Sequence, residues 1–137
     1  ALRLAKIFCK YTFAEKVFFS NSGAEAVEGA IKTARKYAYT NIDKKKNEIV
    51  SFSDAFHGRT MMTIALNGSE RMTKGFGPMP SGIKHHPYNE IKGLDKVITK
   101  KTAAVVLELV QGEAGIIKAK RNFISKIKKL CKLSFYA

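Results

Sequence analysis

The sequence predicts an α/β fold built on a parallel sheet, and three observations carry that reading. Short β-branched and aromatic runs alternate with segments of helical periodicity along a single chain of 137 residues. The run "TAAVVLELV" at residues 102–110 is apolar without alternation, as a strand covered on both faces is. The joint "SNSGAE" stands where an apolar run gives way to an amphipathic helix.

Leu4, Ile7, Phe8 and Tyr11 recur at helical spacing and predict a helix over residues 2–14, with a short strand following over residues 17–20. From Ser22 the pattern changes. Val27, Ala30, Ile31, Ala34, Tyr37 and Ala38 mark one helix face, while Glu28, Lys32, Arg35 and Lys36 lie mostly elsewhere. A charged loop over residues 41–47 leads to a second strand at 48–52, then to the loop "SDAFHGRT" and a helix from Met61 to about Leu66. Residues 67–87 hold four glycines and all three prolines, which predicts an irregular, exposed stretch. Residues 89–100 read as a helix, 102–110 as a strand and 124–133 as a final helix. Three or four strands are fewer than sheets of this class usually have, so the fold looks unfinished. No internal repeat or linker divides the chain.

A hydrophobic content of 45% is ample for a packed core. Twenty-five Lys and Arg against 11 Asp and Glu give a formal charge of +14, which draws a chain weakly to polyanions. The lysines are spread along the chain without interleaved aromatics, so solvated faces explain them better than a nucleic-acid surface. The longest apolar stretch is shorter than a bilayer span and carries Glu108, and the N-terminus lacks the apolar core of a signal peptide. The expectation is a soluble, cytoplasmic chain with neither nucleic acid nor membrane as partner. Cys9 and Cys131 lack the spacing of a zinc site or a disulfide framework. His85 and His86, adjacent in sequence, would point to opposite faces of a strand and suit a shared metal poorly. No metal site is expected.

Ser22 and Glu25 have the S-x-x-E spacing of a capping box, in which the hydroxyl accepts from an early helix N–H and the carboxylate reaches back to the cap. Gly23 also lets an anion approach the free amides and the positive end of the helix dipole. From the joint by itself both readings stay open.

Three ordered stretches, "NSGAEAVEGAIKTARKY", "SDAFHGRT" and "ELVQGEAG", with "KGFGPMPSGIKHHPYNEI" between them, resemble the class III pyridoxal-phosphate aminotransferases over nearly the whole chain. Within that family they are most similar to members acting on N-acetylornithine. The resemblance implies the fold type I, aspartate aminotransferase-like architecture. Residues 1–137 would be part of its cofactor-binding large domain, with an N-terminal segment, the catalytic-lysine half and the C-terminal small domain lying outside. It implies pyridoxal 5'-phosphate as cofactor, N-acetylornithine and 2-oxoglutarate or glutamate as substrates, and a homodimer. On that basis Ser22, Gly23 and Ala24 would hold the cofactor phosphate and Phe56 would stack on the pyridine ring. Arg59 would bind a substrate carboxylate through its planar fork. Glu113 would be the carboxylate that pairs with a second arginine in ornithine-type members, with Glu108 as its companion.

The "HGR" spelling differs from the diaminopelargonate branch, while ornithine, succinyldiaminopimelate and 4-aminobutyrate members share similar loops. His57 is not assigned proton transfer, and Lys74 lies in the wrong place for the lysine that holds the cofactor. No residue here matches that lysine, or the aspartate set against the pyridine nitrogen, so no catalytic residue is assigned and the 137 residues are expected to be inactive alone. The alternative reading is a residual or complementing fragment. Three positions depart from the family: Val27 stands where asparagine is common, Gly29 sits inside a helix, and Leu109 replaces the proline of "EPxQGE".

Overall fold

The computed structural model describes residues 1–135. Helix α1 spans Leu2–Tyr11 and closes where the Thr12 amide and hydroxyl both donate to the Phe8 carbonyl, at 2.9 and 2.7 Å. None of its residues is buried. The strand predicted over residues 17–20 does not form: that stretch has no regular structure, and Phe18 and Phe19 lie exposed. An apolar run becomes a strand only where a neighbour completes its ladder, and here none lies alongside.

Helix α2, Gly23–Asn41, starts at Ser22 as the capping spacing predicts. The Ser22 hydroxyl oxygen accepts from the Glu25 amide at 3.2 Å. The Glu25 carboxylate reaches one residue further back than a capping box requires, accepting from the Asn21 amide at 2.6 Å. Ile31 and Ala38 are buried on its inner face.

Strands β1 (Glu48–Phe52), β2 (Ile83–His86) and β3 (Thr102–Val105) form a parallel sheet in the order β2-β1-β3. Burial on both faces therefore falls on β1, whose residues 49–52 are all buried, and not on the stretch 102–110 that the sequence favours. In β3 only Thr102 and Ala103 are buried, since β1 flanks it on one side only. β2 arises inside the segment read as irregular. Pro78, Pro80 and Gly82 precede it, and so bound the strand instead of interrupting it.

The connections carry short helices, α3 (Met61–Ala65), α4 (Glu70–Thr73) and α5 (Leu94–Val97). The helix predicted over 89–100 shrinks to α5 because Asn89 and Gly93 both take left-handed backbone conformations, φ 63° and 86°. Beyond β3 the chain forms an unforeseen hairpin, in which β4 (Val110–Gln111) pairs antiparallel with β5 (Ile117–Lys118). The last helix, α6, spans Arg121–Phe135.

The alternation of β1 sorts the core into two layers. Ile49 packs with Ile31, Ala38, Leu66 and Ala103 on the α2 side. Val50 and Phe52 pack with Leu94, Ile98, Phe123 and Ile127 on the α5 and α6 side. The rings of Phe52, Tyr88 and Phe123 meet edge to face, with centroids 5.1, 5.7 and 6.2 Å apart. Because the three strands run the same way, the segments leaving their carboxyl ends gather along one edge of the sheet. These are residues 53–60 after β1, 87–90 after β2 and 106–113 after β3. That edge is where open α/β sheets bind ligands.

Candidate functional site

The first component is the start of α2. A helix leaves its first amides without intrahelical partners, and at this end those of Gly23 and Ala24 sit beside the positive pole of the dipole. The Ser22 oxygen is engaged as the cap, and its O–H remains available as a donor. A Cβ built on Gly23 would meet nothing within 4 Å, so the open space in front of it is not filled by this chain. A cradle of two amides and a hydroxyl with open space before it suits a phosphate.

The second component is the loop after β1. It is fastened by side chains from three other segments. Buried Gln111 donates through Nε2 to the Ser53 carbonyl at 2.9 Å, and Asn67 donates through Nδ2 to the Ala55 carbonyl. The Phe56 amide donates to Oε2 of Glu108 at 3.1 Å. At the end of the loop, Thr60 caps α3 and donates its hydroxyl hydrogen to Oε1 of Glu28, on α2, at 2.6 Å.

Gly58 joins the two components. Its φ is +122°, and a Cβ there would lie 2.7 Å from Ala24 Cβ and 3.0 Å from Thr63 Oγ1. Only glycine permits both that backbone and that approach. The loop thus seats its turn directly on the first turn of α2.

Phe56 is 37% exposed, and the Arg59 guanidinium carbon lies 5.3 Å from its ring centroid. Both side chains, together with Glu113, line one cleft of about 340 Å³, whose walls also carry Asp54 and Arg71. Ser22, Gly23 and Ala24 do not line this cleft; the Gly58 contact places them next to the loop that does. The arrangement offers an anion cradle, a flat aromatic face and an arginine fork in succession. Arg59→Lys keeps the charge and loses the fork, so carboxylate ligands should weaken more than a phosphate-bearing aromatic ligand does. Parallel titrations of the two ligand types check this, and equal losses would make Arg59 structural.

Glu108 is half-buried. Burial raises its carboxyl above the ordinary range, the Phe56 amide opposes that rise, and nearby Glu113 adds to it. The departure at Leu109 leaves this geometry standing: its side chain is exposed, and its carbonyl accepts from the Ala119 amide at 2.9 Å. His57 is buried, and burial pushes its imidazole below the usual range; among the described residues its Nε2 has no hydrogen-bond partner. Lys74 stands exposed at the end of α4 and does not line the cleft. His85 and His86 turn to opposite faces as expected, the first to the Ala65 carbonyl and the second to that of Glu90, at 2.8 and 3.0 Å. No helix among the described residues is long and apolar enough to cross a membrane.

Sequence reasoning quoted the loop but missed Gly58 and the two amide side chains that hold it, Asn67 and Gln111. A glycine beside the candidate aromatic was the available signal for the first. The other two act across distances that spacing does not encode.

The chain is similar to known proteins along most of its length. The model of the family described as aminotransferase class-III matches residues 1–134. An acetylornithine/succinyldiaminopimelate aminotransferase from Buchnera aphidicola is 47% identical over 132 residues, covering 96% of this chain and 32% of the relative. A succinylornithine transaminase from Yersinia pseudotuberculosis is 46% identical over 136 residues, covering 95% of this chain and 33% of the relative. The chain thus spans about a third of the length of these curated relatives. Among solved structures, an ornithine aminotransferase from Toxoplasma gondii, described with partial occupancy of pyridoxal phosphate at its active site, superposes with a TM-score of 0.87 at 25% identity. It covers 96% of this chain and 32% of that one.

Proposed function

The chain belongs to the class-III aminotransferases, and we propose that it carries the phosphate-binding, ring-stacking and carboxylate-binding part of a pyridoxal-phosphate-dependent transaminase. The amino donor in this reading is N-acetylornithine, and the acceptor is 2-oxoglutarate, as in arginine biosynthesis. The observation that carries it is the seating of Gly58 on Ala24, which puts the anion cradle beside the loop bearing Phe56 and Arg59. Names among the relatives include both acetylornithine and succinylornithine enzymes, which supports an acylated ornithine as substrate class.

Bound pyridoxal phosphate supplies an electron sink for amino-group transfer. The residues here serve that chemistry by binding. Gly23, Ala24 and Ser22 would take the phosphate, Phe56 would cover one face of the ring, and Arg59 would grip a substrate carboxylate. Glu113, which lines the same cleft, would be the carboxylate that pairs with a second arginine. A homodimeric, cytoplasmic enzyme completes the reading, with residues 1–137 as part of the large domain.

One observation favours a second reading, that of a piece which works with a further polypeptide. Helix α1 buries none of its residues, and an apolar groove of about 1,020 Å³ runs between α2 and the Phe13 to Phe18 segment. The two readings share one experiment. The purified 137-residue chain should bind pyridoxal phosphate yet give no turnover of N-acetylornithine with 2-oxoglutarate, because no residue among its 137 corresponds to the cofactor-holding lysine. Turnover above that of the free cofactor, in a preparation purged of host enzymes, contradicts the partial-site reading. Turnover that appears only with a second polypeptide supports the complementing one.

A further inference from the structure

We propose that Glu108 is a positioning residue for the ring of Phe56: its carboxylate grips the peptide that carries the ring and so sets the aromatic face offered to a planar ligand. The role for a ligand rests on the cofactor reading above; the grip itself does not.

The loop after β1 is held at several points, and the tie at Phe56 differs from the others. Gln111 acts on the Ser53 carbonyl, upstream of the ring, and Asn67 on the Ala55 carbonyl, the opposite side of the Ala55–Phe56 peptide unit. Glu108 takes the amide of the ring-bearing residue itself, at 3.1 Å. The gripping residue is in turn fixed, because the Glu108 carbonyl accepts from the Tyr88 hydroxyl at 2.8 Å and the Tyr88 ring is locked against Phe52 and Phe123. A continuous path therefore runs from the aromatic core through the Glu108 backbone and carboxylate to the Phe56 peptide. Arg59 lies over the same ring, so a shift of Phe56 moves the surface on which the guanidinium rests.

An ionised carboxylate makes the stronger acceptor for an amide. Protonation of Glu108 therefore loosens the grip. The groups that bear on this proton are Glu113 on the hairpin and Tyr88 after β2. The Phe56 loop also carries Asp54, Arg59 and the buried His57. Burial and Glu113 both favour the protonated form, so loosening should set in at a higher pH than for an ordinary glutamate.

The first arm of the test needs no cofactor. In the isotope-labelled full chain, the Phe56 amide resonance should titrate with a midpoint above the ordinary glutamate range. It should stop titrating in Glu108→Gln and persist, with a lowered midpoint, in Glu113→Gln. A Phe56 amide that does not titrate, or that still titrates in Glu108→Gln, overturns the proposal.

The second arm measures pyridoxal-phosphate affinity and the visible circular dichroism of the bound cofactor. Glu108→Ala should weaken binding by about tenfold, as expected for one lost charge-assisted hydrogen bond, and diminish the dichroic band. Glu108→Gln keeps an acceptor oxygen and should largely restore both. Wild-type affinity and dichroism in a folded Glu108→Ala chain also overturn it. If the wild-type chain binds no cofactor, the cofactor reading fails together with the ligand half of the proposal, while the amide titration still decides the grip.

Discussion

Gly58→Val is expected to be the most damaging single substitution in the site, lowering stability by about 2 to 5 kcal/mol, the sum of backbone strain and overpacking. The strain arises because φ is +122° there, a conformation β-branched residues avoid. Overpacking arises because the new Cβ would lie 2.7 Å from Ala24 Cβ and 3.1 Å from Ala24 Cα, on a helix that Ile31 and Ala38 anchor in the core. Backbone atoms give way less readily than the end of a flexible side chain. Denaturant unfolding should show a lowered midpoint with an unchanged slope. Those chains that do fold should also bind cofactor more weakly, since the loop can no longer seat against the anion cradle. An unchanged midpoint would mean that the loop and α2 are not packed together as described.

Gly23→Val should produce the reverse pattern. The position is exposed, its φ lies outside the left-handed region, and an added Cβ meets nothing within 4 Å. Valine has the higher helix propensity of the two residues, by a few tenths of a kcal/mol, so the helix start should not suffer. The isopropyl group would instead occupy the open space in front of the Gly23 and Ala24 amides. Phosphate affinity should fall by about 2 to 4 kcal/mol, the worth of one or two charge-assisted hydrogen bonds. Two glycines near one another in space thus have separable roles, one for the fold and one for the ligand.

Local signals were legible in the sequence. The Ser22 cap, the helix that follows it and the bounds of β1 each depend on residues within a turn or two of one another and are observed, while of the face predicted for α2 Ile31 and Ala38 are buried and Ala30 and Tyr37 lie exposed. Features set by distant partners were not legible. Nothing in residues 17–20 reveals that no strand lies beside them, and nothing in residues 83–86 announces pairing with β1. The same limit explains why double-sided burial was assigned to residues 102–110: hydrophobicity reports burial but not which strand is central. At the site, motifs single out Phe56, Arg59 and Glu113 as candidates, and the structure brings all three to one cleft. A buried glutamate at 108 called for a partner, and that partner proved to be a backbone amide 52 positions away. Gly58 was visible as a residue, whereas its purpose lies in the approach to Ala24, which only the folded chain shows.

The central claim, that the start of α2 is a cradle for the cofactor's phosphate, is tested most directly by titrating the wild-type chain and Gly23→Val side by side. The two ligands are pyridoxal phosphate and phosphate-free pyridoxal, followed by absorbance, with a thermal melt of each ligand-free protein. The account predicts that wild type prefers the phosphorylated ligand, that Gly23→Val loses most of this preference, and that the two melts nearly coincide. Unchanged affinity for pyridoxal phosphate in Gly23→Val, together with a lowered melting temperature, would contradict it and leave the glycine as part of the helix cap alone.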